Sequence, residues 1–450
     1  MTISLKKQAI RGAAWTFVGY GTSQVLRFGS NVLLTRLLVP EYFGLMALVS
    51  TFLIGLQLFS DIGIGPNVIQ NKRGDDPVFL NTIWTIQVIR SFGLWLACIL
   101  ISWPLATFYE EPQLLQLIPV IGLKTCIEGF TSTAVWTLNR NMALDKLIKF
   151  ELLVQLISLT VMIVWAWLSP TIWALVAGNL ASGLLKAVGS HRLLPGKSNR
   201  FTWDKEAAKS IFSFGKWIFI STAFTFLGTQ ADRLILGKLF SFELLGVYGI
   251  AFTLAYLPSQ VISMISSKVI LPAVSKLAHE PRQSLRAKIL RNRRLLLVVT
   301  AIALTLFVSF GDIVILTLYD QRYSQAAWMM PILALGIWPL LLHGTVRQSL
   351  LAIGKPNYEA YGQFFKALLV CLGIPVAFHF MGALGAVIVV ALNDIPLYGA
   401  VSYGLCREKL STIKQDVWAT ALLFILLALV LMGRFLSGFG LPISRLFDFQ

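Results

Sequence analysis

Long apolar runs recur along this chain at a spacing that leaves few architectures open. A helix that spans a bilayer needs roughly 20 mostly apolar residues. Runs of that kind lie near residues 10–38, 41–66, 80–108, 113–138, 150–168 and 171–190. After a polar stretch they resume near 211–235, 243–270, 295–318, 327–352, 359–380, 383–406 and 417–436. The pattern is six, six and one. Only 13% of the residues are charged, about half the roughly 25% of a soluble domain, so most of the chain has lipid as its solvent. The fold class is an all-α polytopic membrane protein.

Lys and Arg number 38 against 21 Asp and Glu, a net charge of +17. The distribution of that charge argues against a nucleic-acid partner, because the cations gather in alternate gaps between runs, the positive-inside pattern. One set of gaps holds Lys6, Lys7, Lys72, Arg73, Arg140, Lys146, Lys149, Arg192, Lys197, Arg200 and Lys205. It continues with the run from Lys276 to Arg294, then Lys355, Arg407, Lys409 and Lys414. The other set holds little beyond Arg36, Lys238, Arg322 and Arg445. This asymmetry predicts a cytoplasmic N-terminus, and an odd number of spans then predicts a C-terminus outside. The first run continues to about Leu38 without a small-residue cleavage pattern, so it reads as a retained helix rather than a signal peptide. Cys98, Cys126, Cys371 and Cys406 match neither a disulfide framework nor a zinc site and read as packing residues. No cofactor is implied.

The division into six and six is echoed in the residues. At a constant offset of 202, "LTRLLVPEYFGL" (34–45) meets "LGKLFSFELLGV" (236–247), pairing Leu34 with Leu236, Arg36 with Lys238, Glu41 with Glu243 and Gly44 with Gly246. In a second pair, "TFYEEPQLLQLIPVIGL" (107–123) and "TLYDQRYSQAAWMMPILAL" (317–335), Tyr109 meets Tyr319 and, after a two-residue slip, Pro119 meets Pro331. Both pairs keep their direction through the membrane, which predicts a parallel repeat about an axis along the membrane normal. The expected organisation is an N-terminal lobe (1–190), a cytoplasmic linker (191–210), a C-terminal lobe (211–408), and an extra helix and tail (409–450). The basic run 276–294 is either an amphipathic helix on the inner leaflet or an ordinary cytoplasmic loop.

An ionisable side chain at bilayer depth costs roughly 2.5–3.5 kcal/mol on insertion scales. Cations within the runs include Arg27, Arg90, Lys124, Arg233, Lys268, Arg347 and Lys366. Facing lipid, they would together cost on the order of 20 kcal/mol, more than the net stability of a typical protein. Arg233, Lys268 and Lys366 lie close enough to run ends to snorkel. Arg27, Arg90, Lys124 and Arg347 lie deeper and are the candidate substrate-binding cations of a shared cavity. The carboxylates are fewer: Asp61, Glu128, Glu151, Asp232 and Asp394. Lys124 and Glu128, four apart on one helix face, are expected to pair. Arg233 is expected to compensate Asp232, and His343, on a face with Arg347, to make a satisfied interhelical contact. An excess of cations points to an anionic cargo, and the arginine fork suits phosphate.

Two interruptions stand out. In "LFSDIGIGPNVIQ" (58–70), Gly63, Gly65 and Pro66 are expected to kink or end the second helix beside Asp61. In "ALNDIPLYG", Asn393, Asp394 and Pro396 interrupt the twelfth. Broken helices at membrane depth are tolerated where they line protein or water. Asp61 and Asp394 are therefore candidates for coupling or gating, with simple helix termination as the alternative.

The segments "RGAAWTFVGYG", "LTRLLVPEYFGLMALVSTF" and "FSDIGIGPNVIQ" in the first half, and "QADRLILGKLFSFELLGVYGIAFTLA" in the second, make a recognisable series. In these segments and their order the chain resembles the lipid-linked oligosaccharide flippases of bacterial polysaccharide biosynthesis, within the superfamily that includes multidrug and toxin exporters. The resemblance runs through about residue 406. It implies two six-helix bundles around a central cavity, alternating access, and a bacterial inner-membrane location. The implied cargo is a glycan on a polyprenyl pyrophosphate, turned from the cytoplasmic to the outer leaflet. The implied partners are that lipid-linked oligosaccharide, membrane lipids and other polysaccharide assembly proteins. Twelve or fourteen spans are usual in that family, so thirteen is a departure. Two other readings stay open: a multidrug exporter of the same superfamily, and a membrane enzyme such as a polysaccharide polymerase or glycosyltransferase. Against the enzyme, the outward gaps are short and no metal-ligand cluster or nucleophile–base pair stands out.

Overall fold

The computed structural model describes residues 5–442 apart from 62, 72 and 195–198, and for residues 5–13, 66, 67, 70, 210 and 212–224 it describes the backbone alone. The side chains of Lys6, Lys7, Pro66, Lys72, Lys197 and Arg445, and the C-terminal residue, lie outside that description.

Among the described residues all regular structure is helical, and the helices follow the thirteen apolar runs. The first six spans are α1 (Leu5–Leu37), α2 (Pro40–Phe59, resuming as Ile64–Gln70), α3 (Pro77–Tyr109), α4 (Leu114–Gly129, then Ala134–Arg140), α5 (Leu144–Leu168) and α6 (Trp173–Ser190). Next come α7 (Lys205–Leu239), α8 (Phe242–Ala255, continued in short pieces to Leu277), α9 (Arg282–Leu318) and α10 (Ala326–Gly336, Trp338–Gly344 and Arg347–Ala352). The helix Asn357–Leu392 is interrupted at Gly382, whose φ of 57° and ψ of −142° only glycine adopts readily. It therefore supplies two spans, α11 (357–381) and α12 (383–392, continued by Ile395–Arg407), before α13 (Ile413–Leu436). Eight helices are by themselves long and apolar enough to cross a bilayer, nine if α4 is counted across its 60° bend, among the described residues. The chain is a multi-pass membrane protein.

Local sequence explains the boundaries. Asp76 caps α3 by accepting a 3.0 Å bond from the Val78 amide, with Pro77 at the first helical position. Ser241 caps α8 by accepting from Leu244 N at 3.2 Å. The basic run 276–294 forms no separate surface helix. Pro281 stops α8 from continuing, and from Arg282 the cations simply extend α9 beyond its apolar part.

The helices form two compact units, Met1–Ala223 and Phe224–Gln450, with the division inside α7. Unit 1 is a bundle of α1–α6 to which the start of α7 adds Ala207, Ala208 and Ile211, packed on Phe79 and Ile83 of α3. The segment before α7 is stitched to α3 as well. Arg200, Thr202 and Asp204 donate their amides to Asn81 Oδ1 (3.2 Å), Thr85 Oγ1 (3.0 Å) and Thr82 Oγ1 (3.1 Å). Arg73 then bridges Asp76 and Asp204, both at 2.8 Å.

The Arg73 hydrogen bonds hold the Asp76 and Asp204 carboxyls below the usual carboxylate range. Since the folded pKa is depressed, this contribution is fully present above the unfolded value of about 4 and is lost as pH falls through the folded one. Asp204→Ala is accordingly expected to increase proteolytic cleavage near Arg200 at pH 7 severalfold. The wild type should gain the same sensitivity only below about pH 4.

Unit 2 holds the rest of α7 with α8–α13, and two buried ion pairs fasten α13 to α9. Arg293 meets Asp416 at 2.5 Å, and Arg434 meets Asp312 at 2.5 Å, with every side chain 1–2% exposed. The pairs join start to start and end to end, so α9 and α13 run parallel. From Arg293 to Asp312 the helix rises about 28 Å, close to the ~30 Å hydrocarbon core.

Candidate functional site

Unit 1 contains a polar cavity of about 580 Å³ bounded by parts of α2–α6. Two broken helices shape it, and α3 holds both breaks. The first is the Ser60–Gly63 interruption of α2, where Gly63 adopts φ +69° and its amide bonds Asp61 Oδ1 at 2.9 Å. Arg90 of α3 holds the end of the first segment, donating to the Gln57 carbonyl at 2.8 Å and to Ser60 Oγ at 3.0 Å. A cation on the last carbonyls of a helix is also favoured by the helix dipole.

The second break is the bend between Gly129 and Ala134 in α4. Its freed carbonyls are met one by one: Gly129 O and Thr131 O accept from Gln87 Nε2 at 2.9 and 3.2 Å. Phe130 O accepts from Trp84 Nε1 at 3.3 Å and lies 2.9 Å from His191 Nε2. Irregular backbone at membrane depth persists only when such partners exist.

Charge in the cavity is mixed. Asp61, Glu128 and Glu151 supply three carboxylates; Arg90 and Lys186 supply two cations. Lys186 Nζ lies 3.4 Å from Glu128 Oε1. Glu151 is exposed to the cavity and makes no hydrogen bond among the described residues. Gln57, Gln87, Thr125 and Trp136 are among its other polar and aromatic lining residues.

Of the residues singled out by sequence, Arg90, Asp61, Glu128 and Glu151 line this cavity together. Arg27 is exposed on α1, and its guanidinium has neither ion pair nor hydrogen bond among the described residues. Lys124 bonds Asn179 Oδ1 at 3.0 Å. Arg347, in unit 2, pairs with Glu359 at 2.9 Å. Asp394, also in unit 2, pairs with Lys366 at 2.6 Å, the two side chains 1% and 8% exposed.

Four expectations need correcting. Lys124 and Glu128 do not pair, since each reaches across to α6, to Asn179 and Lys186 respectively. Asp232 is answered by the Tyr248 hydroxyl at 2.8 Å rather than by Arg233, whose guanidinium bonds Gln230 and lies over the Phe252 ring. Adjacent residues point to different faces of a helix, so sequence neighbours rarely compensate each other. Lys366 does not snorkel but is buried on Asp394. His343 is fully buried with neither ring nitrogen hydrogen-bonded among the described residues. Sequence reasoning missed Lys186 and Gln87; Lys186 had a signal, as the one cation inside the run 171–190.

The comparisons with known proteins agree with this architecture. The profile of a family described as polysaccharide biosynthesis protein matches residues 33–328. The chain is 25% identical over 295 residues to the amylovoran biosynthesis protein AmsL of Erwinia amylovora, covering 65% of this chain and 76% of that one. It is 24% identical over 366 residues to the teichuronic acid biosynthesis protein TuaB of Bacillus subtilis (strain 168), covering 80% and 74%. Among solved structures it is similar to the lipid II flippase MurJ in an inward closed conformation, with a TM-score of 0.72 at 13% identity over 97% of this chain and 95% of that one. It is also similar to an inward-facing multidrug resistance MATE family transporter, with a TM-score of 0.64 at 13% identity over 90% and 95%. At such identities the structural likeness speaks to fold, and the fold is that of two six-helix bundles with one further helix.

Proposed function

Because the chain belongs to the polysaccharide biosynthesis protein family, we propose that it is a flippase for a lipid-linked oligosaccharide in the bacterial inner membrane. In this reading the two lobes alternate access, the N-terminus is cytoplasmic, and the glycan crosses to the outer leaflet while its lipid tail stays in the bilayer. The observation that carries it is a cavity lined by three carboxylates and two cations beside two broken helices, in a chain of apolar helices of this family. Ionisable residues inside apolar helices face a cavity or each other and mark the paths of ions and polar substrates. Arg27, exposed and uncommitted among the described residues, is assigned to the pyrophosphate, for which its planar fork is suited. Lys124 and Arg347 are assigned to the same path, with part of their hydrogen-bonding capacity already used, and Arg90 to the wall of the unit 1 cavity that the glycan enters. Asp61 and Asp394 are assigned to coupling or gating.

A second reading has its own support. Three carboxylates and Trp136 in one cavity are what an exporter of organic cations would offer. One strain separates the two readings. On deletion of this chain, a flippase leaves completed lipid-linked repeats on the cytoplasmic leaflet, inaccessible to a membrane-impermeant glycan-modifying reagent. Deletion of a drug exporter leaves that pool unchanged and raises sensitivity to organic cations. Unfinished repeats, or single repeats stranded outside, would mean that the chain assembles or polymerises the glycan.

A further inference from the structure

The cavity of unit 1 has the wrong charge for a pyrophosphate. Its three carboxylates outnumber its two cations, and both cations are engaged: Arg90 at the end of α2, Lys186 near Glu128. A diphosphate entering there would meet Asp61 and Glu151 at close quarters, and like charges in a partly dehydrated site repel strongly. The same groups are well matched to hydroxyls. Carboxylates accept O–H donors in short charge-assisted bonds, side-chain amides donate and accept, and an indole face packs on the apolar C–H face of a pyranose.

We infer that the unit 1 cavity is a sugar-binding site, taking one or a few hydroxyl-rich residues of the glycan, while the pyrophosphate is held elsewhere. Glu151 and Asp61 accept sugar hydroxyls, and Trp136 gives the ring a surface to lie on. Glu151 makes no hydrogen bond among the described residues, and Asp61 uses one oxygen on Gly63, so both retain acceptor capacity. Gln57 keeps its side-chain oxygen, since only its Nε2 is used, on Thr125 at 3.3 Å. The volume of about 580 Å³ lies inside the ~300–1,000 Å³ usual for small-ligand sites. Arg90 fixes the cavity wall and has no contact role toward phosphate in this assignment. Sugar selection then belongs to unit 1, at a place separate from the general chemistry of the lipid diphosphate. The inference rests on the flippase reading for its ligand and on the cavity for its location.

The test uses the full chain in lipid nanodiscs and two probes. One is the soluble oligosaccharide freed by mild acid from the lipid-linked pool of the native strain; the other is polyprenyl diphosphate without sugar. Wild type should bind both. Glu151→Gln and Trp136→Leu should each weaken the oligosaccharide roughly tenfold or more, the loss expected for one charged hydrogen bond or one stacked ring. Both variants should keep polyprenyl diphosphate binding within about twofold, which also shows that they are folded. Variants that lose the diphosphate and keep the oligosaccharide would overturn the assignment, as would oligosaccharide binding that both leave unchanged. Failure of the flippase reading looks different, because the deletion strain would then show no completed repeat accumulating on the cytoplasmic leaflet, whatever the two probes do.

Discussion

Arg434→Ala is expected to destabilise unit 2 by about 3–5 kcal/mol, the usual effect of removing one member of a buried ion pair. The Arg434 guanidinium grips Asp312 with two bonds, 2.7 Å to Oδ1 and 2.5 Å to Oδ2, and also donates to the Ser309 carbonyl. Removing it strands a carboxylate that is 1% exposed on its side chain. The thermal unfolding midpoint in detergent should fall by many degrees, with α13 the first element to become protease-sensitive. Replacing both partners by leucine removes both charges and should recover most of the loss, because desolvating a pair offsets much of its attraction. A double variant as unstable as the single one would mean that packing, not charge, joins α13 to α9. Arg293 and Asp416 repeat the arrangement at the other end of the same two helices.

Arg90→Ala is expected to abolish most transport, at least tenfold, while the protein still inserts and folds. Its two bonds to α2, to the Gln57 carbonyl and Ser60 Oγ, fix the geometry of the break that carries Asp61, and hydrogen bonds from a charged donor are worth roughly 1.5–3 kcal/mol each. Arg90→Lys keeps the charge but cannot span both acceptors with one planar fork, so it should restore only part of the rate. Leaflet assignment of lipid-linked repeats in strains carrying each variant measures this. Full transport by a correctly inserted alanine variant would remove Arg90 from the mechanism.

Much of this was legible in the residues. The apolar runs marked where the helices lie, and the two interruptions around Asp61 and Asp394 are real breaks. Reading ionisable residues inside the apolar runs picked out Arg90, Asp61, Glu128 and Glu151, which share the cavity. The same reading went astray wherever a partner had to be named. It paired Lys124 with Glu128 and Asp232 with Arg233 because they are near in sequence, whereas the partners used are 55, 58 and 16 positions away. It also passed over Asp312 and Arg434, a pair 122 positions apart.

The sequence by itself determined where the chain is helical and where α2 and α12 break, because both follow from local hydrophobic length and from glycine and proline geometry. Only the tertiary structure decided which charge answers which, and hence that the unit 1 cavity is richer in carboxylates than in cations. The reason is physical. Burying a charge is costly enough that it takes the partner packing brings within reach, and that partner is seldom the one beside it in the chain.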